Sequence, residues 1–102
     1  MTLQEFQTSI ENGVLPNGIT QELEALWEDA SGNWDMAHGI VQRMNTTDAM
    51  WVHAYLHREE GDLSNSQYWY SRIQRSMPDI SLEKEWEAIA IELLLKKTGL
   101  PA

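Results

Sequence analysis

"WVHAYLHREEGDLSNSQYWYSRI", residues 51–73, joins an apolar segment to an aromatic one through Gly61 and Asp62. Residues 49–56 are nearly all apolar apart from His53, which is typical of a central helix buried on most sides. Glycine favours the left-handed conformation that ends a helix, and aspartate is a preferred N-cap. The stretch therefore predicts two helices that meet at a tight turn.

A similar arrangement occurs earlier in "LEALWEDASGNWDMAHGIVQRM", residues 23–44, where Gly32 lies 29 residues before Gly61. Ala37 and Ser66 each follow the turn glycine by five positions, and a small residue there lets two antiparallel helices approach closely. The pattern is similar to helical hairpins of the tetratricopeptide kind, in which the period is usually ~34 residues and three or more copies are usual. With two shorter copies, we expect the flanking helices to cap the stack.

Capping signals extend this prediction to the whole chain. Thr2 and Glu5 fit a capping box, Thr20 and Ser81 are N-cap residues, and Pro78 ends a helix. No segment shows the alternation of a strand. The sequence predicts one all-α domain over residues 1–102, with two tetratricopeptide-like hairpins flanked by N- and C-terminal helices. The six helices are expected at about 2–12, 21–31, 33–44, 47–60, 63–76 and 81–97.

The two repeated stretches also resemble a family of small bacterial proteins of unknown function. Members of that family read "LEALWxDAxGDWxxAHxxVQ" followed by "WVHAYLHRxEGDxxNAxYWYxRA". Asn33 and Ser66 replace an Asp and an Ala of this pattern. The resemblance implies a shared helical fold, and it brings no named activity and no catalytic residue to this chain.

Composition excludes several classes of function. The net charge is −9 with a pI near 4.6, which argues against nucleic acid and anionic membrane surfaces as partners. The absence of cysteine excludes disulfides and thiolate chemistry. We find neither a signal peptide nor an apolar run of ~18 residues, so we expect a cytoplasmic protein without membrane contact.

The histidines form the most specific candidate site. His53 and His57 share one helix face with Glu60 a turn further on, and an antiparallel neighbour would bring Asp35 and His38 to them. Imidazoles with a carboxylate are a zinc or iron ligand set. However, the spacing lacks the glutamate of a metalloprotease motif, and hydrogen bonding across a tight helix pair is the favoured interpretation. We expect no tightly bound metal and no cofactor. His53 and His57 are the first candidate ligands if a metal does bind.

"HREEGD", residues 57–62, allows two interpretations. Arg58 with Glu59, Glu60 and Asp62 has the groups of an acid–base site. Charge runs at helix ends are usually solvated, so we predict that Arg58 faces solvent or pairs locally and that Gly-Asp is a helix stop followed by a cap. No catalytic residue is assigned, and an enzyme is the less favoured class.

Two apolar surfaces are candidates for an interface or groove. Tyr68 points away from the inner side that Trp69 can share, and tyrosine is enriched at interfaces. The last helix carries Ile91, Leu94 and Leu95 outside its main apolar stripe, so that its apolar arc is wider than one neighbour covers. A homodimer would cover this arc, although the helix at 2–12 could also do so within one chain.

The leading hypothesis is a small α-helical interaction domain that binds a protein partner or a second copy of itself. The alternative is a metal-binding protein or small enzyme that uses His38, His53 and His57. A groove for a peptide or a small molecule, lined by tryptophan and tyrosine, lies between the two.

Overall fold

A computed structural model describes residues 1–97, which form six helices and no strand. The all-α prediction with six helices is confirmed. No helix in this range is long and apolar enough to cross a bilayer. The helices are α1 (Leu3–Asn12), α2 (Gln21–Ala30), α3 (Trp34–Val41), α4 (Thr47–Glu60), α5 (Leu63–Arg72) and α6 (Leu82–Lys97).

Two helical hairpins, α2–α3 and α4–α5, turn at the predicted glycines. Gly32 and Gly61 both have a φ of 89°, which glycine adopts without the steric cost that a Cβ would add. The side chain of Asp62 then caps α5 by accepting from the backbone N–H of Asn65. Ser66 is fully buried, and its hydroxyl donates to the carbonyl of Ala54 at 2.7 Å. The small side chain thus holds α5 close against α4.

Two helices end earlier than predicted. α3 stops at Val41 rather than residue 44, and α5 stops at Arg72 rather than residue 76. Gln74 has a φ of 58°, so the chain turns out of the helical path just after α5. In the sequence, the apolar spacing of α3 and α5 runs past the ends of both helices, because Met44 and Ile73 still pack on the core from the turns that follow. Helix periodicity therefore overestimated both lengths.

The central helix is α4, which contacts α2, α3, α5 and α6. Its residues from Trp51 to His57 are all buried, as the apolar composition predicted. α1 packs on α6, where the ring of Phe6 stacks on Trp86 with centroids 5.9 Å apart. The indole N–H of Trp86 donates to the carbonyl of Leu26 at 3.2 Å. These two contacts join α1 and α2 to α6.

Candidate metal centre

All three histidines of the chain meet between α3 and α4. The Nε2 atom of His53 lies 3.1 Å from Nε2 of His38 and 3.0 Å from Nε2 of His57. The three nitrogens all lie within 4.8 Å of one another. The one-turn spacing of His53 and His57 on α4 sets the first pair, and the α2–α3 hairpin brings His38 to it. The sequence analysis had raised this convergence as one possibility for an antiparallel pair of helices.

Glu60 orients the cluster from outside it. One of its carboxylate oxygens lies 2.7 Å from Nδ1 of His57, which therefore donates its N–H to the carboxylate. A neutral imidazole carries one donor and one acceptor nitrogen, so Nε2 of His57 turns an unshared electron pair toward the other two histidines. This arrangement of carboxylate, histidine and inward-facing nitrogen is the outer-shell pattern of metal-binding histidines.

Protons alone leave this cluster poorly satisfied. Because Nε2 of His57 is an acceptor, Nε2 of His53 must carry the proton to bond with it. That single N–H of His53 also faces Nε2 of His38, which lies at nearly the same distance from it as Nε2 of His57 does. If His38 carries a second proton, two N–H groups face each other. If it does not, one proton serves two acceptors. A cation at the centre would bind all three electron pairs at once.

Burial favours the neutral rings that bind metals. His53 is 5 % and His57 6 % exposed, while His38 is half-buried. Desolvation, followed by repulsion from His38 and His57, lowers the pKa of His53 to about 4. Burial also lowers the pKa of His38, against the opposing pull of Glu60 and Asp35. Both His38 and His53 are therefore neutral near pH 7, the form in which imidazole ligates a metal.

The indoles of two tryptophans pack against the histidine cluster. Trp34 stacks on His38 with ring centroids 4.9 Å apart and planes 7° from parallel, and its indole N–H donates to the carbonyl of Leu56. Trp69 stacks on His53 at 4.1 Å. These contacts fix the planes of two imidazoles, and such rigid support is what a binding site needs to hold its ligand atoms in place.

The other residues that the sequence predicted for a site do not lie at the histidine cluster. Asp35 is exposed and acts on His38 through its charge, but it is not among the donors grouped at the Nε2 atoms. Tyr68 is exposed and its ring meets Trp69 edge-on. On α6, Leu94 is buried in the core, whereas Ile91 and Leu95 are 45 % and 54 % exposed. The predicted α6 surface is therefore narrower than the sequence suggested.

A second polar cluster was missed by the sequence analysis. Glu85 on α6 is only 2 % exposed and accepts hydrogen bonds from Arg58, Trp51 and Tyr70. The expectation that Arg58 faces solvent or pairs locally was wrong, because its guanidinium reaches α6 and also donates to the carbonyl of Ile80. The signal was available, since Glu85 precedes Ile89 by four residues and therefore lies on the inner stripe.

An acidic cavity of about 450 Å³ lies among α1, α2, α4 and α6. At its wall Asp29, which is 8 % exposed, forms a carboxyl pair with Glu59. Burial, followed by the neighbouring Asp29, raises the pKa of Glu59 to about 8. Glu59 is also partly exposed, and solvent screens part of its interaction with Asp29. One proton shared by the two groups relieves their repulsion. Asp29 also follows Leu26 by one helical turn, which places it toward the core.

No protein-family model matches the chain, and no curated protein or solved structure matches it. The resemblance to small bacterial proteins therefore stays an expectation drawn from the two sequence stretches. What the site can do rests on the convergence of its side chains.

Proposed function

We propose that this protein binds one divalent transition metal of the zinc class through His38, His53 and His57. The observation that carries the proposal is the convergence of three Nε2 atoms, two of them 3.0 and 3.1 Å from the third. Zinc binds histidine nitrogen at ~2.0–2.1 Å, which separates two ligands of a tetrahedron by about 3.3 Å. Both distances from Nε2 of His53 are therefore within a few tenths of an ångström of the spacing that such an ion needs, and the third pair lies within 4.8 Å.

The chemistry of the donors supports the choice of metal. Imidazole suits zinc, copper, iron and nickel, whereas calcium and magnesium prefer oxygen ligands. The Glu60 carboxylate on Nδ1 of His57 holds that ligand in a fixed orientation. Histidine spacing alone is a weak signal, and on that basis we expected no bound metal. The proposal reverses that preference on the strength of the side-chain geometry.

Metal titration tests the proposal. Apoprotein prepared with a chelator is titrated with Zn²⁺ in a calorimeter, and we expect one site per chain. His38→Asn should weaken binding by more than the ~10–100-fold that loss of an outer-shell partner causes, because it removes a ligand. The control is Glu83→Gln, which alters a carboxylate of the acidic cavity. Equal affinity in the His38 variant, or loss of affinity only in the Glu83 variant, would reject the proposal.

An interaction domain is the second proposal, and it rests on α6. Ile91 and Leu95 lie one turn apart and are both exposed, although α1 covers part of this helix. Light scattering on a sizing column at ~100 µM protein tests the homodimer, since a functional dimer should bind at least this tightly. We expect a dimer that Ile91→Glu dissociates while far-UV circular dichroism is unchanged. A monomer mass for the wild type would remove the homodimer.

A further inference from the structure

Among the described residues, the histidine cluster supplies three ligands for a metal and no fourth. In the described part of the chain, the donors grouped at the Nε2 atoms are His38, His53 and His57. Glu60 is a carboxylate partner of the cluster, but it binds Nδ1 of His57. The two nitrogens of an imidazole point in different directions, so an oxygen seated on Nδ1 does not reach a metal seated on Nε2.

The open side of the cluster lies beside His38. That residue is half-buried, whereas His53 and His57 are almost completely enclosed by the fold. The indoles of Trp34 and Trp69 stack on two of the imidazoles and limit the space beside them. A ligand that approaches the metal here must therefore be small.

The charge of the three ligands selects the type of fourth ligand. Neutral imidazoles leave the double positive charge of the metal uncompensated within the coordination shell, and Glu60 offsets it only from the far side of His57. A small anion, or a water molecule that the metal polarises, completes such a shell. Three protein ligands with one open position distinguish reactive zinc sites from structural ones, which are closed by four protein ligands.

We propose that the fourth position of the metal centre takes a small exogenous anion from solution. This inference rests on the proposed metal binding. It assigns to the centre an exchangeable ligand, which a purely structural metal would not have. It also assigns the His38 side as the path by which that ligand enters.

Cobalt is the probe, because the visible bands of Co²⁺ report the number and identity of its ligands. Wild-type protein is loaded with one Co²⁺ per chain and titrated with azide up to about 100 mM, a hundredfold excess over a millimolar Kd. We expect the bands to shift with saturation at one azide per cobalt. Glu60→Gln should bind Co²⁺ more weakly, yet show the same azide-induced shift once it is fully loaded.

The outcomes separate this inference from the proposed function. Intense cobalt bands that azide does not change would show a closed shell, which overturns the open position and leaves metal binding intact. A cobalt-dependent dimer seen by light scattering, again without a response to azide, would place a ligand from a second copy there and also overturn it. The absence of cobalt bands in the wild type would remove the metal centre itself.

Discussion

At the scale of single residues, Glu60 shows how one carboxylate determines what a histidine can do. It stands on α4, three residues after His57, and accepts from Nδ1 at 2.7 Å. In the neutral ring, this bond selects the tautomer with the proton on Nδ1, so that the unprotonated Nε2 faces His53 and His38. In a simple hydrogen-bonded cluster, this bond would contribute little beyond local stability. In a metal site, it orients a ligand.

We therefore predict that Glu60→Gln lowers Zn²⁺ affinity by about 10–100-fold, because an amide holds the imidazole less strongly than a carboxylate does. Competition with a chromophoric chelator measures the affinity. Glu83→Gln, which makes the same change of charge away from the histidines, should retain wild-type affinity. Equal losses in both variants would show that only the overall charge matters.

Glu85 is the second residue with a decisive role, because three side chains from α4 and α5 donate to its buried carboxylate. Burial, followed by the hydrogen bond to Glu85, raises the pKa of Tyr70, so the phenol keeps its proton and remains a donor. α6 is thus joined to the rest of the core by a polar contact as well as by apolar packing.

Glu85→Ala should lower the free energy of unfolding by about 3–5 kcal/mol, because it leaves the guanidinium of Arg58 partly buried without its partner. Urea denaturation measures the change. Glu92→Ala serves as the control, since the ion pair of Glu92 with Arg75 is largely exposed and should contribute ~1 kcal/mol or less. A similar small loss for both variants would contradict a structural role for the buried cluster.

At the scale of helices, the turn glycines and the small residues behind them define the hairpins. The φ of 89° at Gly61 lies in the region that favours glycine, whereas Gly39 lies inside α3 with no positive φ and open space at its Cβ position. The same substitution should therefore have opposite effects at the two positions.

Gly61→Ala should destabilise the fold by about 1–2 kcal/mol, because an L-residue pays this cost in the left-handed region. Gly39→Ala should stabilise it by up to about 1 kcal/mol, through the better helix propensity of alanine. Thermal unfolding followed by circular dichroism compares the two variants. The absence of any effect of Gly61→Ala would contradict the assignment of Gly61 as the turn residue, and destabilisation by Gly39→Ala would contradict the open space at that position of α3.

At the scale of the whole molecule, the acidic cavity couples stability to pH. Asp29 on α2 and Glu59 on α4 have raised pKa values, so the folded state holds a proton that the unfolded chain releases more readily. This contribution is present in full below the ordinary glutamate pKa of 4.5 and is lost as pH rises through about 8. Screening at the exposed Glu59 reduces its size.

We predict that the wild type loses stability between pH 6.5 and 8, and that Asp29→Asn reduces this loss by removing the carboxyl pair. The window starts at 6.5 because the lowered pKa of His53 acts in the opposite direction between about 4 and 6.5. Urea midpoints across this range provide the measurement. Asp79→Asn, in an exposed loop, is the control and should follow the wild type. Parallel curves for all three proteins would contradict the role of the pair.

Local sequence determined the helices, their turns and the central position of α4. Apolar spacing selects the inner face of a helix, and Gly32, Gly61 and the cap residues mark where helices meet, because these preferences act within a few residues. Even there, the ends of α3 and α5 lay beyond local reasoning, since Met44 and Ile73 pack on the core after leaving the helix.

Only the tertiary structure decided which polar groups meet. The spacing of His53 and His57 was visible in the sequence, but the distance of 3.1 Å to His38 depends on how α3 packs on α4. The partners of Glu85 and the pairing of Asp29 with Glu59 likewise join helices distant along the chain. The pKa of a side chain depends on atoms within a few ångströms, and for His53, Glu59 and Tyr70 some of those atoms belong to other helices, whose packing angle and distance no local pattern specifies.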